Sequence, residues 1–167
     1  ERYAAPAFPN LTRDLETHLD WLSTLPQDPH SFGLVHGDAN WGNFHVHQDQ
    51  ITLFDFDDCR YHWFIYDFAI PMYYFALYHD GIDEDRLRFF FDPFVRGYLS
   101  ERPLPLSWFD LLPRFCSFRD ILLTLFACKT QMSPDHLFYQ SVTRNYTLGN
   151  HLHNFDFTAF QQSACNV

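Results

Sequence analysis

His36-Gly37-Asp38-Ala39-Asn40-Trp41-Gly42-Asn43, followed by Phe54-Asp55-Phe56-Asp57-Asp58, is the stretch that decides the reading of this chain. Asp, Asn and Gly populate tight turns for local reasons, so taken singly these residues signify little more than loops. The spacing carries the information. Asn43 stands five residues after Asp38, and Asp55 stands twelve after Asn43. Between them Phe44-His45-Val46-His47 alternates as a strand, Gln48-Asp49-Gln50 turns, and Ile51-Thr52-Leu53-Phe54 returns. A hairpin of that length brings Asn43 and Asp55 to the same end of two adjacent strands.

Outward from this hairpin the pattern is helical. Leu11, Leu15, Leu19 and Leu22 recur at helical spacing, with Asp14 and Glu16 near the start and Pro26 and Pro29 beyond the end. Phe32 to Val35 is a short apolar approach into the motif. After Trp63 the spacing predicts helices near 66–79, 83–100, 107–130 and 134–154, and a short one near 156–163. Pro71, Pro93 and Pro113 are expected to kink or split three of them. Ser133-Pro134-Asp135 reads as a helix start with a capping hydroxyl. The expected fold class is mainly α with a small β-hairpin (α+β), in a single domain over residues 1–167.

The bulk numbers agree with a packed domain. Of 167 residues, 47% are hydrophobic and 20% aromatic, and a chain of this size buries roughly 70% of its unfolded surface. The net charge of −10 argues against a nucleic-acid partner and favours metal ions and amines. The four cysteines form no C-x-x-C pair, so no zinc knuckle is signalled, and their apolar context fits a cytoplasmic location. No run of 18 apolar residues signals a membrane helix, and no secretory leader is visible at the start.

The chemistry that suits the motif is phosphoryl transfer. That reaction needs a carboxylate beside the acceptor hydroxyl and hard oxygen ligands for the metal that neutralises the phosphate oxygens. The protein-kinase loop H-R-D-x-x-x-x-N supplies an Asp base and, five residues on, an Asn metal ligand. Here Asp38 and Asn43 have that spacing, and Asp55 is the counterpart of the Asp in D-F-G.

His36-Gly37-Asp38 to Asn43, Leu53-Phe54-Asp55-Phe56-Asp57-Asp58 and Ile65-Tyr66-Asp67-Phe68-Ala69 together resemble the aminoglycoside phosphotransferase, choline kinase and homoserine kinase group. Within it, Asp-Phe-Asp-Asp is most similar to the bacterial stress-response protein-kinase branch. The resemblance implies the C-terminal lobe of a protein-kinase-like phosphotransferase, using ATP and Mg²⁺ on a hydroxyl-bearing small molecule or a protein Ser/Thr. It implies Asp38 as catalytic base, Asn43 and Asp55 as Mg²⁺ ligands, and Asp57 at a second metal or the substrate. His36 would brace the loop, and Asp67 would hold its backbone from the next helix. Trp41 and Asp58 are candidates for a substrate pocket. Asp80, Asp83, Glu84 and Asp85 could recruit a cationic acceptor, although acids also favour helix starts.

The resemblance also implies an N-terminal lobe that covers the nucleotide, and about 30 residues before Val35 are too few for it. The six glycines assemble no phosphate-binding loop, and Lys129 is the sole lysine. The expectation is a piece of a longer enzyme, lacking the nucleotide lobe and inactive alone. Two other readings compete. His36, Asp38, His45 and His47 could serve a metal-dependent hydrolase, or the domain could be a non-catalytic pseudo-kinase interaction module.

Overall fold

The computed structural model describes residues 7–78 and 84–148. Helix α1 (Leu11–Ser23) leads to strand β1 (Phe32–Val35), then the hairpin of β2 (Phe44–His47) and β3 (Gln50–Leu53). A 3-10 turn (Phe56–Asp58) precedes strand β4 (Arg60–Trp63), which runs directly into α2 (Phe64–Tyr78). Helix α3 (Glu84–Glu101), a second 3-10 turn (Leu106–Leu111), α4 (Leu112–Lys129) and α5 (Leu137–Leu148) complete the fold. No helix among the described residues is long and apolar enough to cross a membrane.

Two antiparallel ribbons nest one inside the other. The inner ribbon is the expected hairpin, with Phe44 opposite Leu53 and His47 opposite Gln50. The outer ribbon pairs β1 with β4, Phe32 opposite Trp63 and Val35 opposite Arg60. Strand β4 has no turn signal near its partner, and its pairing is made at long range. The nesting clamps the 36–43 loop and the 54–59 loop side by side between the two ribbons.

The helical body buries an aromatic core. Helix α2 is apolar around its circumference, as a helix covered on all sides must be, and it buries Tyr66, Phe68, Ile70, Met72 and Tyr73 completely. Helix α4 packs against α1, α2 and α5. Leu11 and Leu22 of α1 are buried, but Leu19 of the predicted stripe is 49% exposed. Trp63 donates its indole N–H to the Pro26 carbonyl at 2.8 Å, fastening the turn after α1 to the outer ribbon.

The prolines act differently from one another. Helices α2 and α3 run unbroken through Pro71 and Pro93, whereas the predicted 107–130 helix splits, with Pro113 in the first turn of α4. There its missing N–H costs nothing, because first-turn donors have no helical partner. Ser133 caps only a turn, by accepting from the Asp135 N–H at 3.2 Å. Helix α5 starts later, and His136 Nδ1 accepts the Phe138 N–H at 3.2 Å. The predicted 156–163 helix, and residues 149–154 of the one before it, lie outside the described residues, as do Asp80, Asp83, His79, His151 and His153.

Candidate active site

Three contacts and one close backbone approach hold the two clamped loops together. The Phe54 N–H donates to the Asn43 carbonyl at 3.0 Å. His36 Nε2 donates to the Phe54 carbonyl at 3.0 Å, and the Phe56 ring lies 4.6 Å from the His36 ring. At Gly37 the backbone has φ +79°, and a Cβ there would stand 2.4 Å from the Asp58 carbonyl oxygen. Only glycine satisfies both that conformation and that approach.

Asp67, in the first turn of α2, holds the 36–37 backbone from behind. Its two carboxylate oxygens accept the His36 and Gly37 N–H groups, each at 2.8 Å. Burial raises the Asp67 carboxyl above its ordinary pKa, and these two N–H groups oppose that rise. His36 is committed at both ring nitrogens, because Nδ1 accepts the Asp38 N–H at 3.3 Å while Nε2 donates to Phe54. The His36/Asp38/His45/His47 hydrolase set therefore has no ligating nitrogen to offer at His36, and the His45 ring lies tilted against that of Phe54, 4.8 Å away, on the hairpin.

Asp38 is held on both oxygens. Oδ2 accepts the Asn43 and Asn40 side-chain amides at 3.0 Å each, and both amides also reach the Asp38 carbonyl. Oδ1 accepts from Arg119 Nη2 in an ion pair. Arg119 projects from α4, is 4% exposed, and also donates to the Tyr74 hydroxyl at 3.0 Å. Burial pulls the Arg119 guanidinium down, but the hydroxyls of Tyr66 and Tyr74 and the Asp38 carboxylate outweigh it, and the net shift is upward. Asp58 stands 4.0 Å from Arg119 and 3.2 Å from Arg60.

These groups floor a cleft of about 410 Å³, walled by Leu122, Leu123, Phe126 and Phe138. Asp38 and Asp58 line this cleft. Trp41 lines a different one, of about 370 Å³, where it packs on Phe75 and Phe90. Asp55 opens the 3-10 turn with φ 63° and ψ 63°. That left-handed conformation is uncommon outside glycine and best tolerated by Asn and Asp. Asp55 and Asp57 are exposed. Among the described residues no three His, Cys, Asp or Glu side chains converge as a metal cluster.

The spacing argument did not reach Arg119, Tyr74, Asn40 or Arg60. One signal was present. Between Arg114 and Lys129, Arg119-Asp120 is the sole charged pair in an otherwise uncharged, mainly apolar stretch, and a charge at such a position needs a partner.

A mostly helical body carrying nested ribbons, with an Asp–Asn loop beside a left-handed Asp, defines the protein-kinase-like phosphotransferase fold. The chain belongs to the phosphotransferase enzyme family, whose model matches residues 1–105. It is 32% identical over 146 residues to amicoumacin kinase of Bacillus subtilis (strain 168), covering 83% of this chain and 44% of that protein. Among solved structures it is similar to amicoumacin kinase hAmiN in complex with AMP-PNP, Ca²⁺ and Ami, with TM-score 0.78 and 27% identity over 95% of this chain and 50% of that one. It is also similar to the microcompartment-associated aminopropanol kinase, with TM-score 0.62 and 28% identity over 84% of this chain and 42% of that one. The chain thus spans about half the length of these relatives.

Proposed function

We propose that this chain carries the base and metal half of an ATP-dependent phosphotransferase that passes the γ-phosphoryl group to a hydroxyl of a small molecule. The observation that carries the reading is Asp38. Its carboxylate is fixed by Asn43 on one oxygen and Arg119 on the other, at the floor of a cleft large enough for a small acceptor. In this reading Asp38 orients the acceptor hydroxyl and takes its proton, while His36 and Asp67 hold the loop in register.

The donor set suits Mg²⁺. Asn43 turns its amide nitrogen to Asp38, which leaves the amide oxygen as its ligating atom, and Asp55 and Asp57 add exposed carboxylate oxygens. Mg²⁺ usually takes one or two carboxylates and completes its shell with substrate phosphates and water, so a dense protein cage is not needed. A bound ion would neutralise charge on the phosphate oxygens. The chain's net charge of −10 favours an amine-bearing acceptor, and the apolar setting of the cysteines favours a cytoplasmic enzyme.

The chain spans about half of its relatives, and its glycines and single lysine supply no phosphate-binding loop. We therefore assign the nucleotide-covering lobe to sequence outside these residues, and turnover by the 167-residue chain alone to a negligible level. The test is transfer from γ-labelled ATP to an amino alcohol, with this chain and with the product of the complete reading frame. The reading expects labelled phosphate ester from the latter alone, abolished by Asp38→Asn. Absence of transfer to any hydroxyl compound by the complete product would remove it.

A further inference from the structure

Arg119, Leu122, Leu123 and Phe126 follow one another at i, i+3, i+4 and i+7 along α4, so they share one helix face, and all four line the cleft above Asp38. The near end of this row is charged and buried. The far end is apolar and open, because Phe126 is 52% exposed. Phe138 of α5 extends the same wall. Seven residues of helix span about 10 Å, the length of a phenylalkyl group.

The charges on the floor are already paired. Arg119 is bonded to Asp38, and Arg60 lies 3.2 Å from Asp58. The four wall side chains carry no donor or acceptor. A polyhydroxylated acceptor laid along them would lose water without gaining hydrogen bonds, which is costly. An apolar body would instead cover the exposed Phe126.

The geometry points to an acceptor that is an alcohol with an aryl or alkyl body, its hydroxyl at Asp38 and its apolar part along Leu122, Leu123, Phe126 and Phe138. This inference rests on the proposed phosphotransferase reading and names the substrate class of that site. A polar aminocyclitol would meet no hydrogen-bonding group on that wall, which favours the aryl alcohol over it.

The test is calorimetric titration of the 167-residue chain, without ATP, with phenylalaninol and with 2-deoxystreptamine. Both probes carry amines, so the difference reads the apolar body. The expected result is binding of phenylalaninol at least about tenfold tighter, the effect of burying one ring. Phe126→Ser is expected to remove most of that preference, and Phe89→Ser, at a position 85% exposed on α3, to leave it intact. Equal or tighter binding of 2-deoxystreptamine, or a preference insensitive to Phe126→Ser, overturns the inference. The two readings fail separately. Selective binding of the aryl alcohol with no phosphoryl transfer by the complete enzyme removes the kinase reading and keeps the cleft assignment. Transfer to the aminocyclitol with no such selectivity does the reverse.

Discussion

Arg119 and Asp38, 81 residues apart, meet in an ion pair whose guanidinium is the buried member, its side chain 5% exposed against 23% for the carboxylate. Both line the cleft, and the carboxylate is the member more open to it. The pair also joins two units formed independently in the sequence, the ribbon loops and the helical body. Asn43 and Asn40 restrain Asp38 from the loop side, and Arg119 restrains it from the helix side.

Replacing Arg119 by Met is therefore expected to act on stability and on chemistry together. Loss of one member of a buried pair costs about 3 kcal/mol where the survivor is left desolvated. Here Asp38 keeps some access to water, which favours the lower side of that figure. Arg119→Lys restores the charge without the planar fork that reaches Asp38 and Tyr74 together. If Arg119 acts by positioning, Lys should recover the melting temperature better than it recovers kcat in the complete enzyme. Parallel recovery of both would show a purely structural role.

Gly37→Ala tests the closeness of the two loops. A Cβ at this position meets the Asp58 carbonyl oxygen at 2.4 Å, and the backbone has φ +79°. The strained conformation alone costs about 1–3 kcal/mol, and the clash is with backbone, which cannot swing aside. Chemical denaturation should show a loss toward the upper end of that range. A loss below about 0.5 kcal/mol, the usual size of a neutral surface change, would mean the loops are not held at this separation.

The hairpin was legible because period-two alternation and a polar turn are local signals, and the helices because apolar residues recur along them. Strand β4 was not, since Arg60-Tyr61-His62-Trp63 owes its extended form to pairing with β1 across the whole nested unit. The start of α5 moved past Ser133 because a serine can cap a single turn as readily as a helix. Within the candidate site, Asp38, Asn43 and Asp55 were picked out by spacing. Arg119 and Tyr74 were out of reach because the fold alone brings α2 and α4 over Asp38. Trp41 illustrates the converse, since a position inside the motif loop did not place it in the motif's cleft.

His62 supplies a pH dependence with a definite sign. Burial, aided by the charge of Arg60, lowers its pKa from 6.5 to about 4. The ring lies among those of Tyr66, Phe115 and Phe118, and Nδ1 has no hydrogen-bond partner among the described residues. The unfolded chain therefore binds a proton between pH 6.5 and 4 that the folded chain refuses. The contribution to stability is complete above 6.5 and is lost as pH falls toward 4, amounting to about 3 kcal/mol across the window. In denaturation series over this range, His62→Phe should show a shallower loss of stability than the parent. Equal slopes would contradict the buried, neutral imidazole.

Asp55 allows charge to be separated from backbone conformation. Its left-handed φ and ψ are tolerated by Asn nearly as well as by Asp, but poorly by Ala. Asp55→Asn should therefore leave the melting temperature close to that of the parent, because the side chain is exposed and the turn is preserved. Under the proposed metal role it should still lower phosphoryl transfer by the complete enzyme by about 10²-fold or more, since it removes an anionic oxygen ligand. Raising the Mg²⁺ concentration should recover part of the loss, a response that a damaged fold would not show. Asp55→Ala should lower both activity and melting temperature. Should Asn and Ala prove equally destabilising, Asp55 is there for its turn. Full activity in Asp55→Asn would instead place the metal ligand elsewhere in the acidic loop, with exposed Asp57 the next carboxylate to replace.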